Sequence, residues 1–440
     1  MSAALPVSDL ARRMQQRAHH LIPGGAHTYA KGDDQFPENA PPFIVRGQGC
    51  HAWDVDGREY IEYGMGLRAV TLGHAFAPVV EAATRQLQHG VNFTRPAPIE
   101  LECAETLLSM VPGAEMVKFC KDGSHAVDGA VRLARAATGR DLVAICGCHP
   151  FFSTSDWFIG TGEMDAGIPQ AVSRLVLKFD YNDRASLQAL FDAHPGRIAC
   201  VLMEAARIDE PDGDYLHWVK QCAHDHGALL VFDEMITGFR WHNGGAQTLY
   251  GVAPDLATFG KALANGFSVS ALAGRRELMK LGGLHHDQDR VFLLSTTHGA
   301  QTHELAAAIA TMQFYRDHPV VEVLHQRGAR LRQGIEQAAT ALGLSAQVGG
   351  VSRVCNLLFY TRDAQGQPSQ PLRTLFMQEL VRGGVIAPSF VVSWSHSEAD
   401  IDRTVDAAAA AMKVYRQALD SGVERFLQGR PVQPVFRRRP

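Results

Sequence analysis

The sequence predicts an α/β fold with a largely parallel sheet. Three observations lead there. Short apolar runs, bounded by Gly, Pro or charged residues, alternate with helical stretches through the middle of the chain. Side chains able to do chemistry stand where those runs end, and such sheets bind ligands at the carboxyl ends of their strands. The last hundred residues then change to long helical patterns interrupted by one short β-rich segment.

Each element follows from its own residues. Runs 44–46, 50–54 and 60–62 form a small meander turned by Asp56-Gly57. A helix over 126–138 leads to a buried strand at 143–146. A helix over 184–193 leads to a strand at 198–203, and a helix over 215–226 to a strand at 228–233. A fourth strand covers 270–273. Beyond it, helices over 304–316 and 320–342 precede a β-rich segment at 354–360 and helices over 372–382 and 398–419. These last elements read as an α+β unit completed by the N-terminal segment. There is no internal repeat or long linker, so the divisions rest on the change of pattern: an N-terminal segment 1–75, a large domain 76–317 and a small C-terminal domain 318–440.

Composition narrows the function. The 440 residues carry 42 Lys+Arg against 46 Asp+Glu, with 46% hydrophobic and 20% charged residues, as in soluble globular proteins. The charge of -4 excludes an electrostatic nucleic-acid binder or a polybasic membrane-surface protein. Arg437-Arg438-Arg439 is too short a basic run to change that. Eight dispersed cysteines, several in apolar runs, read as buried thiols of a reducing cytoplasm. Cys146-Gly147-Cys148-His149 lacks a second ligand pair at zinc spacing, so no metal is expected. The N-terminus holds Pro6 and Asp9 and no apolar core, so it is not read as a signal peptide. No window approaches the roughly 18 apolar residues of a membrane span. The expected location is the cytoplasm.

Three sites invite chemistry. Gly260-Lys261 lies between two apolar segments. A P-loop would need Gly and Ser or Thr where Asp255 and Ala262 stand, so what remains is a lysine suited to imine chemistry. Strand 228–233 ends in Asp233-Glu234, and strand 198–203 is followed by Glu204. An acid there either caps a helix or holds a proton on a ring nitrogen. Gly123-Ser124 opens the helix over 126–138, where exposed N–H groups form an anion site or Ser124 serves as a cap. An imine lysine, a ring-nitrogen partner and a phosphate cup together meet the needs of pyridoxal 5'-phosphate. No Gly-x-Gly-x-x-Gly lies between an early strand and helix, which sets a nicotinamide dehydrogenase aside.

From about Leu21 onward the sequence resembles the class III, fold-type I pyridoxal-phosphate aminotransferases, in particular their glutamate-1-semialdehyde 2,1-aminomutase-like branch. The resemblance is carried by Ile22-Pro23-Gly24-Gly25, Trp53-Asp54-Val55-Asp56-Gly57, Leu72-Gly73-His74-Ala75, the stretch from Phe232-Asp233-Glu234 to Gly238-Phe239-Arg240, and Gly260-Lys261. It implies a mostly parallel seven-stranded sheet in a large cofactor-binding domain, plus a smaller α+β domain from the N- and C-terminal segments. It also implies pyridoxal 5'-phosphate bound as an imine to Lys261, with Asp233 on the pyridinium nitrogen and Gly123 and Ser124 at the phosphate. Glu204 matches a strand-end acid near the cofactor, although Ala205 replaces the usual Pro. Thr297, in Ser295-Thr296-Thr297-His298-Gly299, matches a threonine that reaches the phosphate from a second subunit, which implies a homodimer with shared active sites.

Departures from the family pattern refine the expectation. Gly147-Cys148-His149-Pro150-Phe151-Phe152 replaces the Tyr-His-Gly stretch whose Tyr stacks on the cofactor, so His149 is expected to stack, with Phe151 second. The family's Asn-Ser-Gly-Thr reads Lys121-Asp122-Gly123-Ser124. Lys31 stands where aminomutases place an Arg for the substrate carboxylate, and Arg68 is a second residue for an anionic substrate group or a structural ion pair. The ending from Phe426 to Arg437 is similar to a sub-branch associated with surface-polysaccharide pathways. The expected activity is amino transfer from a small amino donor to a carbonyl acceptor, sugar-like or polyol-like. The alternatives are an intramolecular 2,1-aminomutase or a decarboxylating or epimerising relative. A non-catalytic binding protein keeping the same fold is disfavoured by the intact lysine and acids.

Overall fold

The computed structural model describes residues 7–149 and 151–439. Residues 1–6, within the stretch read above for a signal peptide, lie outside it, as do Pro150 and Pro440. The chain divides into two compact units, Ala77–Val321 with Phe436–Pro440 and Met1–Phe76 with Glu322–Val435.

Seven strands form the sheet of the first of these units. Their spatial order is Met116–Cys120, Ser270–Gly274, Leu256–Phe259, Leu229–Asp233, Ile198–Met203, Leu142–Cys146 and Val176–Phe179. The last five run parallel. Ser270–Gly274 is antiparallel to both neighbours. The reason is length: a parallel return needs a crossover of about a dozen residues or more, and 260–269 is shorter. Every residue of Leu142–Cys146, Ile198–Met203, Leu256–Phe259 and Ser270–Gly274 is buried. Burial on both faces is why Leu142–Cys146 and Ile198–Met203 are continuous apolar runs.

Helix Gly123–Thr138 packs across Ser270–Gly274, Leu256–Phe259 and Ile198–Met203. It does so through Ala126, Val127, Ala130, Val131, Leu133 and Ala134, a stripe at helical spacing. Gly139 stops it at φ 66°, a left-handed conformation that glycine adopts at low cost, and its N–H closes on the Arg135 carbonyl at 2.9 Å. Helix Thr302–Asp317 packs on Ala77–Leu87 and Pro98–Met110 and backs the short turn Lys261–Ala264. Three strands of this sheet went unpredicted: Met116–Cys120, Val176–Phe179 and Leu256–Phe259. The first two are the sheet's edges.

The other unit is α+β. Ile44–Gln48, His51–Asp54 and Glu59–Glu62 form the antiparallel meander, and Val385–Ile386 joins it parallel to Glu59–Glu62. That pairing ties the N-terminal part of the unit to its C-terminal part. Val348–Val351, Asn356–Thr361 and Phe390–Val391 form a second small sheet. Helices Gln370–Arg382 and Glu398–Ser421 pack against each other. No helix among the described residues is long and apolar enough to cross a membrane.

Candidate active site

Parallel strands end on one edge of their sheet, so the residues that follow them are neighbours by topology. At or just past four of these strand ends stand Cys146, Glu204, Asp233 and the Gly260-Lys261 pair. The two strand-end acids divide the roles that their sequence left open. Glu234 is a cap: its carboxylate accepts from the amides of Ala246 at 2.8 Å and Gln247 at 2.7 Å, at the start of helix Ala246–Leu249. It also accepts from the Thr237 hydroxyl, and burial pushes its carboxyl up to about 7.

Asp233 faces the lysine. It is 3% exposed and electrostatically coupled to Lys261. Both of its hydrogen bonds fall on Oδ1, from the Met235 amide at 2.9 Å and the Thr258 hydroxyl at 3.1 Å. Oδ2 takes neither. Burial pushes the carboxyl up to about 6; Lys261 pulls it down, and Glu204 adds a smaller push upward. A buried carboxylate with one oxygen fixed and the other presented is built to meet a cationic N–H.

Lys261 is set by strained backbone. Its φ is 45°, unusual for a residue with a side chain, at the first position of the turn Lys261–Ala264. Gly260 permits close approach there. A Cβ on it would lie 2.4 Å from Ser270 Oγ and 2.6 Å from Met235 Sδ. Met235 also sits 2.9 Å from where a Cβ on Gly123 would be. One thioether therefore spaces the lysine turn from the start of helix Gly123–Thr138.

At that helix start the cap is Asp122, which accepts from the His125 amide at 3.0 Å. Ser124 is thus inside the first turn, and its Oγ accepts from the Thr154 amide at 3.1 Å. The first-turn amides, including those of Gly123 and Ser124, have no partner within their helix. Lys121 is engaged elsewhere, donating to Gln301 at 2.8 Å and paired with Glu304.

His149 and Phe151 separate clearly. His149 is buried, its Nδ1 accepts from the Glu204 amide at 3.0 Å, and its ring lies 5.5 Å from Tyr181 and 6.0 Å from Phe152. Phe151 instead packs on Phe158 at 5.8 Å and stacks on Phe436 at 6.1 Å. Glu204 Oε2 is buried without a hydrogen-bond partner, 3.6 Å from Arg207 Nε.

Thr297 is exposed, its carbonyl held by the Asn92 amide at 3.1 Å, and no described hydrogen bond joins it to Ser124, Asp233 or Lys261. Lys31 and Arg68 belong to the other unit. Lys31 is exposed at the end of the turn Tyr29–Lys31. Arg68 donates to Asn356 at 2.7 Å and Ser389 at 3.1 Å.

Asp128 escaped the sequence reading. One turn after Ser124 on the same helix, it accepts from Ser153 Oγ and Trp157 Nε1, each at 2.7 Å, and from Ser155 Oγ. It thereby pins the loop that carries Thr154 over the helix start. The alternation Ser153, Ser155, Trp157 was the one available signal, and nothing in it names its acceptor. Asp128→Ala should leave three donors unpaired, at about 1–3 kcal/mol for each that stays buried. The expected result is a lower Tm together with weaker cofactor retention, read by thermal melts and equilibrium dialysis. Unchanged retention would show that the loop pinned by Asp128 does not bear on cofactor binding.

The cysteines also differ from expectation. Seven are buried, but Cys148 is exposed. Cys146, Cys148 and His149, set aside above for want of a second ligand pair, bring a donor atom each within 4.8 Å of one another.

Residues 34–391 match the family described as aminotransferase class-III. The glutamate-1-semialdehyde 2,1-aminomutase of Roseiflexus castenholzii is 34% identical over 92% of this chain and 97% of that one. The aminomutase of Akkermansia muciniphila is 33% identical over 90% and 97%. Among solved structures, the FumI protein of Sphingopyxis sp. MTA144, in its PLP internal aldimine form, superposes with a TM-score of 0.86 at 28% identity, over 96% of this chain and 98% of that one. An omega-transaminase from Sphaerobacter thermophilus gives 0.81 at 25% identity, over 92% and 98%.

Proposed function

The chain belongs to the class III aminotransferases, pyridoxal-phosphate-dependent enzymes of fold type I, and from that premise we propose that it moves an amino group from a small amino donor to a sugar-like or polyol-like carbonyl acceptor. The observation that carries the assignment of roles is the buried Asp233, with Oδ2 uncommitted, coupled to Lys261 on its strained turn. The site suits the cofactor on its own terms. Glu204 Oε2 is a buried acceptor without a hydrogen bond, 3.6 Å from Arg207 Nε, and the first turn of Gly123–Thr138 offers amides to an anion.

When bound, pyridoxal 5'-phosphate supplies an aldehyde that captures amines and a ring that accepts carbanion charge. Lys261 Nζ would hold the aldehyde group, and as a free amine it would take a proton from the donor's α-carbon and return one. Asp233 Oδ2 would keep the ring nitrogen protonated. Gly123 and Ser124 would hold the phosphate, and His149, whose Nδ1 accepts from the Glu204 amide, would lie against the ring.

A homodimer is part of this reading, with Thr297 of the partner subunit completing the phosphate cup. Phe93, Leu101 and Phe292, 51%, 64% and 67% exposed, are large apolar side chains that a second copy would cover. Eight free cysteines support a reducing, cytoplasmic setting.

A second reading is intramolecular amino transfer, favoured by the aminomutase names of curated relatives at 32–34% identity. Lys31 at the carboxylate-binding position favours the first, because a point charge replaces a two-pronged fork. The test incubates the enzyme with glutamate, alanine and amino sugars singly, and follows the cofactor spectrum. Conversion to the pyridoxamine form by a donor, reversed by a sugar-like carbonyl compound, is expected. Turnover of glutamate 1-semialdehyde alone, with no response to amino sugars, would favour the aminomutase.

A further inference from the structure

Cys146 is the last residue of strand Leu142–Cys146 and is buried; Cys148 lies two residues on and is exposed. The chain turns as it leaves the strand, the His149 amide donating to the Cys146 carbonyl at 3.2 Å, and the turn brings these thiols together. Their sulfurs are 3.4 Å apart. The other six cysteines are buried. Gly147 between them is held by one backbone bond, to the Phe179 carbonyl at 2.8 Å. His149 follows directly.

We propose that Cys146 and Cys148 are a reversible peroxide-responsive dithiol, whose closure to a disulfide shifts His149 and loosens cofactor binding. The thiol step stands alone, while its effect on the cofactor rests on the reading of His149 given above. Cys148 is the attacking group because it is the one that solvent reaches, and its contacts with Cys146 and the His149 ring hold its thiol below the ordinary value.

The chemistry balances with hydrogen peroxide as oxidant. The Cys148 sulfur attacks one peroxide oxygen; the S–O bond forms, the O–O bond breaks, and hydroxide leaves and is protonated to water. The Cys146 sulfur then attacks the Cys148 sulfur; the S–S bond forms, the S–O bond breaks, and hydroxide departs with the Cys146 proton as water. Two thiols lose two electrons, and one peroxide becomes two waters. An S–S bond of about 2.05 Å requires the sulfurs to close from 3.4 Å, which moves residue 148 and its neighbour. A loop closed across a single residue near solvent belongs to the easily reduced class.

The test treats full-length holoenzyme with hydrogen peroxide, denatures it, alkylates free thiols and maps peptides. The expected result is one peptide with Cys146 and Cys148 joined, two hydrogens lighter and unalkylated, restored by dithiothreitol. Both cysteines recovered as alkylated thiols, or Cys148 found as sulfinic acid with Cys146 free, would overturn the thiol step. In parallel, cofactor affinity is measured by fluorescence titration before and after peroxide, in wild type and in the C146S/C148S double variant. A several-fold loss confined to the oxidised wild type is expected. A formed disulfide with unchanged affinity would overturn the effect on the cofactor. Lack of cofactor binding by the reduced protein would instead sink the functional reading, with the thiol result unaffected.

Discussion

Lys261→Ala is expected to reduce amino transfer to background while leaving a folded protein. The loss should exceed the roughly 10²–10⁴ that one acid–base group contributes, because the same amine also tethers the cofactor. The turn need not collapse: Ala262, Leu263 and Ala264 are buried and carry its packing. Alanine in fact keeps the strained φ of 45° no more comfortably than lysine, so backbone strain is unchanged. A small primary amine such as methylamine should restore part of the proton transfer. Full activity in the variant, measured with the best donor found, would remove Lys261 from the chemistry.

Asp233→Asn should be nearly as damaging, by at least about a hundredfold in kcat, the scale of removing one preorganised electrostatic group. The amide can still accept from Met235 and Thr258 at Oδ1, so the defect isolates the charge presented at Oδ2. The same residue gives a pH signature. In protein stripped of cofactor its carboxyl is pushed by burial to about 6, above the ordinary 3.8. A raised folded value means the folded state binds the proton more tightly. The stability so contributed is complete below about 3.8 and is lost as pH rises through about 6. Cofactor-free Asp233→Asn should therefore be more stable than cofactor-free wild type at pH 8, by something on the order of 2–3 kcal/mol, and the gap should narrow toward pH 4. Cofactor retention by wild type should weaken as pH falls through about 6, where Oδ2 loses its charge. Denaturant melts and dialysis across that range check both. A pH-independent gap would show that Asp233 is not the buried ionised group.

How much of this was legible in the sequence follows from where each residue gets its meaning. Strands Ile198–Met203 and Leu229–Asp233 announce themselves because both faces of their sheet are covered. Edge strands Met116–Cys120 and Val176–Phe179 carry Lys118 and Lys178 for the opposite reason, since an edge is partly wet and a charge there discourages pairing. Lys178 reaches the Thr161 carbonyl at 2.7 Å. Leu256–Phe259 hides because its four residues include Ala257 and Thr258, and its Thr serves Asp233.

The chemical residues show the same division. Lys261 and Asp233 could be picked out because a reactive type at a strand end is informative before any contact is known. The division of labour between Asp233 and Glu234 could not, because it depends on where the chain returns with Ala246 and Gln247. The role of Asp128 depends on the loop after 146 folding back over Gly123–Thr138, a tertiary event with no periodic signature.

Borohydride reduction of the holoenzyme, followed by peptide mapping, asks where the cofactor is held. The expected result is a stoichiometric pyridoxyl-phosphate group on the peptide containing Lys261. The group found on another lysine such as Lys118 or Lys121, or on none, would contradict the placement of the chemistry at the Gly260-Lys261 turn.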